Sequence, residues 1–349
     1  MSKSITIKDV ADRAGVAAST ASDALNGKSH VTEETRLKVV RAAEELDYKP
    51  HPGAKHLSSG VAQQIGLFIP ASRKHVFSST GFFNKLIQGI HEAVDGTDYS
   101  LSLRMSESET DAEPKLRSVL DSRTLGGLII THPTENSDLL DLLEGSDVPH
   151  IVLGRPKRRT LYVDNDNVEV GKLATEHLVN HGYKRVAFLS GPDRFTYATD
   201  RLKGYRSALE EKGLTYREDF VWNSELVESA AYDVVYKKAQ ENQIDGLFVA
   251  GDVQAVGAIH ALRDLGKNVP DDVALVSVVN SPLTEHFDPS ITTVDLHEYW
   301  LGNWAADRLI QEIEGEGRDK PKVVIPGDLI VRRSCGCNPK DKANSKRSS

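Results

Sequence analysis

The chain has 349 residues, a hydrophobic share of 39% and a formal net charge of −8 at pH 7. This length predicts about two domains, and the hydrophobic share is sufficient for substantial cores. The N-terminus is polar, and no apolar run approaches the roughly 20 residues that a membrane span requires. We therefore expect a cytoplasmic protein without a membrane partner, and the secreted and membrane classes are disfavoured.

The first 25 residues predict two short helices joined by a tight turn. Thr6 is a good helix N-cap with Asp9 three residues later, and Gly15 suits a left-handed turn. The positions expected to face inward are Ile7, Val10, Ala11 and Ala14 in the first helix, and Ala17, Ala21, Ala24 and Leu25 in a second helix that begins near Val16. Its other face is small and polar, which favours a helix-turn-helix over a plain surface hairpin.

A third helix and a linker follow. Thr32 is expected to cap a helix from Glu33 to about Leu46, and Leu37, Val40 and Ala43 are predicted to complete the three-helix core. The next segment, residues 49–62, is rich in Pro, Gly and Ser, which indicates a flexible connection.

These segments resemble the headpiece and hinge of the lactose-repressor/galactose-repressor (LacI/GalR) family of bacterial transcription regulators. The motifs that carry the resemblance are TIKDVADRAGV, STASDALN, VTEETR, LDYKP and AKHL, in that order. The resemblance extends to about Ser334. It implies a headpiece over residues 1–48 and a hinge over residues 49–62, which folds as a helix only when two subunits meet on operator DNA.

The resemblance also implies which residues contact DNA. The matching positions are Thr6, Ala18, Ser19, Thr20, Ser22, Asp23, Asn26, His30, Tyr48, Ala54, Lys55 and Leu57. Of these, Ala18, Ser19 and Asp23 occupy positions that read base edges in relatives, and Leu57 matches a leucine that wedges into the minor groove. For the polar members the alternative role is helix capping or simple solvation. His51-Pro52-Gly53 departs from the usual hinge, so we expect its folding to depend strongly on DNA.

Charge is distributed unevenly between the headpiece and the rest. Residues 1–60 carry a net charge of about +1, which leaves −9 for the remainder. Because long-range attraction to phosphates is therefore weak, a monomer that coats DNA is disfavoured. Two headpieces that read one palindromic site, presented by a homodimer, are expected instead.

From Gln64 onward, strand-like and helix-like segments alternate. The predicted strands are residues 65–70, 99–105, 125–131, 149–154, 186–191, 245–251 and 273–279, and the predicted helices are residues 83–94, 112–121, 168–180, 199–212, 229–242 and 253–264. Val-, Ile- and Leu-rich strands that alternate with amphipathic helices predict an α/β core of doubly wound parallel sheets. The overall prediction is an all-α headpiece plus this core.

The family resemblance adds the arrangement of that core, a bilobal fold like the periplasmic sugar-binding proteins. It implies a core over residues 63–336, with an N-subdomain over about 63–162 and 293–321 and a C-subdomain over about 163–292 and 322–336. Residues 337–349 form a polar tail without a leucine heptad, which disfavours a tetramer.

A small-molecule effector is expected in the cleft between the lobes, since ligands bind at the carboxyl ends of parallel strands. The candidates carried over from the family are Phe82, Phe83, Phe195, Tyr197, Arg201, Leu226, Asp252 and Val279. Phe82 and Phe83 match an aromatic pair that stacks on effector in the purine-repressor branch, and Arg201 matches an arginine that holds effector oxygens. The alternatives are core phenylalanines and a solvated arginine.

Three of these positions depart from sugar-responsive relatives. Val279 replaces an aspartate, Gly251 replaces an asparagine before Asp252, and Leu226 replaces an aromatic residue. We therefore predict an atypical pocket for a carbohydrate-related metabolite, in which free hexoses bind poorly and a more apolar or phosphorylated ligand is favoured.

Enzymatic readings are disfavoured because no Walker, GxGxxG, HExxH or GxSxG motif is present. Cys335 and Cys337 are too few for a disulfide scaffold or a complete zinc site, so we expect reduced thiols, with a redox or metal role as the alternative, and no metal or cofactor elsewhere. The remaining rival is a cytosolic sugar-binding or sugar-metabolising protein with an incidental helical N-terminus. The preferred interpretation is an allosteric repressor, associated with the nucleoid when bound to its operator.

Overall fold

The computed structural model describes residues 5–25, 31–46, 48, 62–70, 81–108, 110–131, 134, 138–156, 160–317 and 322–337. These residues divide into two compact units, one ending at Gln63 and one beginning at Gln64. The predicted hinge, with Ala54, Lys55 and Leu57, lies outside the described residues, as do Asn26, His30 and the tail after Cys337. Within the described residues, no helix is long and apolar enough to cross a bilayer.

The headpiece contains three helices, α1 (Ile7–Ala14), α2 (Ala18–Leu25) and α3 (Glu33–Glu45). Asp9 Oδ2 accepts hydrogen bonds from the backbone N–H of Thr6 at 2.7 Å and from its hydroxyl at 2.6 Å, which fixes the start of α1. Gly15 ends α1 in the left-handed conformation, with φ of 70°. The backbone N–H of Thr35 donates to Thr32 Oγ1 at 3.4 Å, so the predicted cap of α3 is also confirmed.

The core between these helices differs from the prediction in its third helix. The face of α3 that is buried consists of Val39, Ala42 and Ala43, whereas Leu37 is 51% exposed and Val40 only half-buried. Two residues correspond to about 200° around a helix, so Leu37 points away when Val39 points inward. The prediction of Leu37 and Val40 was therefore wrong in phase. In α2 the buried positions are Ala21 and Ala24, while Ala17 is exposed.

The second unit consists of two α/β lobes. The first lobe is built on a six-stranded, all-parallel sheet with strand order β11-β5-β4-β3-β1-β2. Its elements are β1 (Gln64–Ile69), α4 (Phe82–Val94), β2 (Ser100–Met105), α5 (Ala112–Asp121), β3 (Gly127–Thr131), α6 (Asp138–Glu144), β4 (His150–Leu153), β5 (Tyr162–Asn165), α12 (Glu298–Ile313) and β11 (Lys322–Ile325).

The second lobe has a sheet of strand order β12-β10-β9-β8-β6-β7, parallel except for the antiparallel pair of β10 and β12. Its elements are α7 (Asn167–Asn180), β6 (Val186–Ser190), α8 (Thr196–Glu211), β7 (Val221–Asn223), α9 (Glu228–Glu241), β8 (Gly246–Val249), α10 (Asp252–Asp264), β9 (Ala274–Val278), α11 (Pro282–His286), β10 (Thr292–Asp295) and β12 (Asp328–Ile330). Each lobe has a separate apolar cluster on either face of its sheet, as expected for parallel strands buried on both sides.

The chain crosses between the lobes three times, as the family resemblance implied, but at different residues. Residues 163–165 and 322–325 belong to the first sheet, and residues 293–295 belong to the second, each opposite to its predicted subdomain. The physical reason is that β5, β10 and β11 each complete their pairing with the sheet they leave before the chain crosses. Each predicted boundary therefore moves a few residues toward the C-terminus.

One side chain ties the three crossovers together. Asn165, at the end of β5, is buried, and its Nδ2 donates to the backbone carbonyl of Leu296 at 2.8 Å and to that of Ile325 at 3.1 Å. The backbone N–H of Asp166 also donates to the Ile325 carbonyl at 3.1 Å. A single amide thus holds all three connecting segments in register.

Candidate functional site

A cavity of about 390 Å³ lies between the two lobes of the second unit. Strand ends from both sheets contribute to it: Ile69 at the end of β1, Thr131 at the end of β3, Ala250 after β8 and Val279 after β9. Parallel strands present their carboxyl ends at one edge of a sheet, and this is where α/β folds bind ligands. The volume suits a small metabolite.

All eight candidates for the effector site line this one cavity. They are Phe82, Phe83, Phe195, Tyr197, Arg201, Leu226, Asp252 and Val279. Residues that are up to 197 positions apart in sequence are thereby brought to a common wall. Their roles in binding remain predictions.

Aromatic rings form two parts of the wall. In the first lobe, Phe82 and Phe83 meet edge to face, with centroids 5.3 Å apart and an interplanar angle of 84°. In the second lobe, Phe195 and Tyr197 stack at 5.4 Å and 11°. Leu226 also lines the cavity and offers an aliphatic surface at the position where the family resemblance implied an aromatic residue. A flat, partly apolar ligand can therefore contact ring faces from both lobes.

Arg201 is buried in the cavity wall and held by three contacts. Its Nε donates to Asn167 Oδ1 at 3.0 Å, its Nη1 donates to the backbone carbonyl of Ala250 at 3.0 Å, and its guanidinium lies 5.0 Å from the ring centroid of Tyr197. Burial lowers the pKa of Arg201 to about 10, so it stays charged at neutral pH. Its alternative role as a solvated arginine is excluded by its 6% exposure.

Gln254 and Asp252 lie in the same cavity wall as Arg201 and carry side-chain oxygens that can accept hydrogen bonds. Gln254 is fully buried and its Nε2 donates to Ser224 Oγ at 2.7 Å, while its Oε1 has no partner within the described part of the chain. Asp252 Oδ1 accepts from the backbone N–H of Val253 at 2.9 Å, and burial, partly offset by Ser281, raises the pKa of Asp252. The sequence reasoning missed Gln254, because nothing in the sequence distinguishes a buried glutamine from a surface one.

Val279 has an unusual backbone. Its φ is 78°, a conformation that costs a β-branched residue about 1–3 kcal/mol and that aspartate or asparagine adopts more easily. Two hydrogen bonds hold it there: its N–H donates to Val294 O at 3.0 Å, and its carbonyl accepts from Thr293 Oγ1 at 3.1 Å. The position therefore combines local strain with an apolar side chain facing the cavity.

Two polar contacts join the lobes on either side of the cavity. Arg155, which follows β4 in the first lobe, forms an ion pair with the buried Asp200 on α8 of the second lobe. Lys85 on α4 donates to the backbone carbonyl of Asn280, after β9, at 2.6 Å. Both contacts bridge the cleft and stabilise this arrangement of the two lobes.

The DNA-contact candidates of the headpiece can be placed only in part. Thr6 and Ser19 are exposed, whereas Ala18, Thr20, Ser22 and Asp23 are half-buried. Tyr48 is half-buried against the three-helix core. The side chains of α2 are short, as expected for a helix that must approach a base-pair edge closely.

Comparisons with known proteins identify both units. Residues 6–51 match the family described as "Bacterial regulatory proteins, lacI family", and residues 175–335 match the "Periplasmic binding protein-like domain". The HTH-type transcriptional regulator CelR of Thermobifida fusca is 30% identical to this chain over 94% of it and 98% of CelR. The chain belongs to the LacI family of bacterial regulatory proteins.

Solved structures of LacI-family members agree over nearly the whole chain. The lac repressor dimer bound to operator and the anti-inducer ONPF has a TM-score of 0.81 at 25% identity, covering 95% of this chain and 99% of that one. The CelR–cellobiose complex has a TM-score of 0.75 at 28% identity, covering 95% and 99%. The predicted fold class and family are confirmed. The chain is a DNA-binding transcriptional regulator with an effector-binding core, and it is not an enzyme.

Proposed function

We propose that this LacI-family regulator is a cytoplasmic repressor that binds a palindromic operator as a homodimer, and that a small molecule in the inter-lobe cavity controls its affinity for DNA. The observation that carries the proposal is a cavity lined by both lobes, with the buried Arg201 and Gln254 in its wall. A ligand that bridges the lobes changes the free energy of closure, which is the requirement for allosteric coupling.

The DNA-binding part of the proposal rests on the headpiece. We assign base reading to Ala18, Ser19 and Asp23 and backbone contacts to Thr6, Thr20, Ser22, Asn26, His30 and Tyr48, with Ala54, Lys55 and Leu57 acting in the hinge. Two of the three base-reading side chains are small, so direct readout is sparse. The headpiece is only weakly basic, and pairing of two headpieces on one operator supplies the affinity that charge does not.

The effector we propose is a carbohydrate-related metabolite with one apolar face. Its flat face stacks on Phe82 and Phe83 or on Phe195 and Tyr197, and an oxygen of the ligand is held by Arg201. The fold relative CelR was solved with cellobiose, so disaccharides are reasonable members of this class. Free hexoses are disfavoured because Val279 and Leu226 replace a polar and an aromatic partner.

The route from effector to DNA runs through the crossovers. Arg201 holds Asn167 Oδ1 at 3.0 Å, and Asn167 Nδ2 in turn donates to Asp164 Oδ1 at 3.1 Å. Asp164 and Asn167 lie on either side of Asn165, whose side-chain amide joins the three connecting segments. A ligand that pulls on Arg201 therefore acts on the segments about which the lobes rotate, with a coupling free energy of about 1–3 kcal/mol.

Calorimetric titration of the full-length protein against a panel of free hexoses, disaccharides and sugar phosphates tests the effector assignment. We expect the free hexoses to bind weakly and at least one panel member of the other classes to bind more tightly. Tight binding of a free hexose contradicts the assignment without affecting the DNA-binding proposal.

Deletion of residues 1–60 separates this proposal from the rival reading, in which a sugar-binding or sugar-metabolising protein carries an incidental helical N-terminus. The core has its own apolar clusters and is expected to retain effector binding, while sequence-specific DNA retention is lost. A truncated protein that retains operator preference contradicts the proposal.

A further inference from the structure

Three metal-ligating side chains meet on the second lobe, away from the cavity. His177 lies near the end of α7, His181 follows that helix, and Cys337 ends the segment that returns after β12. One potential ligand atom from each lies within 4.8 Å of the others. We propose that His177, His181 and Cys337 form a binding site for a divalent cation of the zinc class.

The distances suit such an ion. Zinc binds cysteine sulfur at about 2.3 Å and histidine nitrogen at about 2.0–2.1 Å, which in a tetrahedral site separates sulfur from nitrogen by about 3.6 Å. Cys337 Sγ lies 3.5 Å from His177 Nε2. The rings of His177 and His181 have centroids 4.4 Å apart, so small side-chain rotations bring the third ligand atom to its place.

Neighbouring backbone carbonyls already orient the His181 ring and the Cys337 side chain. His181 Nδ1 lies 2.6 Å from the backbone carbonyl of His177, and the tautomer that donates this hydrogen bond leaves the lone pair on Nε2. In metal sites, a carbonyl that accepts a hydrogen bond from the other ring nitrogen fixes the imidazole and increases its basicity. Cys337 Sγ lies 3.3 Å from the Cys335 carbonyl, which also accepts a hydrogen bond from the Tyr183 hydroxyl at 3.1 Å.

The backbone that carries Cys337 is fixed as well. Gly336 has φ of 70°, and a Cβ at this position would lie 2.8 Å from the Tyr183 hydroxyl, so only glycine fits without adjustment. Two residues earlier, Ser334 Oγ donates to the Leu275 carbonyl at 2.7 Å. The thiol is therefore presented by a held turn and not by a loose end.

The ligand types select the cation. One thiolate and two imidazoles suit zinc, whereas magnesium and calcium require oxygen ligands. Three protein ligands leave a fourth position for water. The bound ion would fasten the returning segment to α7. This cluster was not predictable from the sequence, because the two histidines lie about 160 residues before Cys337 and their i, i+4 spacing also fits an ordinary helix.

Zinc binding to the metal-stripped full-length protein, measured by competition with a chromogenic chelator, tests the site. We expect one ion per chain and a thiolate-to-metal charge-transfer band when cobalt replaces zinc. Cys337→Ser and His181→Asn should each weaken binding at least about tenfold, and Cys337→Ser should remove the band. His181 is exposed, so His181→Asn leaves the fold intact.

Two controls make the result decisive. His286→Asn removes an exposed histidine elsewhere, and Cys335→Ser removes the thiol whose sulfur faces the Arg332 carbonyl at 3.5 Å; neither should reduce zinc affinity. Equal affinities for all five proteins, a cobalt complex without the thiolate band, or loss of binding in Cys335→Ser but not in Cys337→Ser would overturn the proposal. In that case the contact between Cys337 and His177 is a thiol–imidazole hydrogen bond and nothing more.

Discussion

Glu298, the first residue of α12, should make a large contribution to the pH dependence of stability. Its side chain is fully buried, and neither carboxylate oxygen finds a well-oriented hydrogen-bond partner among the described residues. The nearest cation is Lys85, whose Nζ lies 3.7 Å from Oε2 and also donates to the Asn280 carbonyl. Burial therefore raises the pKa of Glu298 from 4.5 to about 7, despite the opposing effects of its own backbone N–H and of Lys85.

The sign and size follow from the two pKa values. An unfolded chain releases this proton near pH 4.5, whereas the folded chain retains it to about pH 7. The stability that the group contributes is thus fully present below pH 4.5 and is lost as the pH rises through 7. The full difference corresponds to about 3 kcal/mol, an upper bound because water and Lys85 relax around the charge.

Glu298→Gln cannot ionise and should reveal this loss. The free energy of unfolding is measured in urea by tryptophan fluorescence at pH values from 4.5 to 8. Relative to the wild type, the free energy of unfolding of Glu298→Gln should increase by about 1–3 kcal/mol between pH 4.5 and pH 8. The difference between the ends cancels any constant cost of burying the amide. Glu218→Gln, at an exposed position, is the matched control and should run parallel to the wild type.

The reasoning would be refuted by Glu298→Gln curves that run parallel to the wild type at every pH, or by a variant whose advantage appears only at low pH. Asp164, whose pKa burial also raises to about 7, is present in all three proteins and cancels in the comparison.

Three further predictions concern the cavity and the headpiece. Arg201→Met should weaken the tightest ligand of the metabolite panel at least about tenfold in calorimetry, since a charge-assisted hydrogen bond contributes about 1.5–3 kcal/mol; unchanged affinity would remove Arg201 from the site. Val279→Asn should relieve the strain at φ of 78°, raise the melting temperature or leave it unchanged, and increase affinity for free hexoses, whereas a lower melting temperature with unaltered hexose binding would count against this view. Asp23→Ala should change operator preference in a binding-site selection if the carboxylate accepts from a cytosine amine, and a uniform gain in affinity for all sequences would show that Asp23 only repels phosphate.

The regular elements of the core were predictable because their signal is local. Seven strands and six helices lie within three residues of their predicted ends. The strands that were not predicted, β5, β7, β10, β11 and β12, have three or four residues each, and most of them mix polar with apolar residues, so they lack the continuous apolar run of β4 and β8. The crossover residues were misplaced because their position depends on where each strand completes its pairing with the sheet, which the local sequence does not indicate.

Side-chain burial was harder to predict than the elements themselves. In α3 the apolar residues permit two inward faces, and the buried face is the one with Val39, Ala42 and Ala43. Gln254 and the histidines beside Cys337 become recognisable only when distant segments meet. The eight effector-site candidates could be located because the family resemblance, and not periodicity, identified their positions.

The central claim is that paired headpieces read an inverted repeat under the control of a ligand in the core. The most direct measurement is the affinity of the purified full-length protein for an inverted-repeat duplex, selected from genomic DNA, and for its scrambled counterpart at moderate salt, with and without the tightest ligand of the panel. The account predicts a clear preference for the inverted repeat and a shift of about 5- to 150-fold when the ligand is added. Equal affinity for both duplexes, whatever metabolite is present, would contradict it.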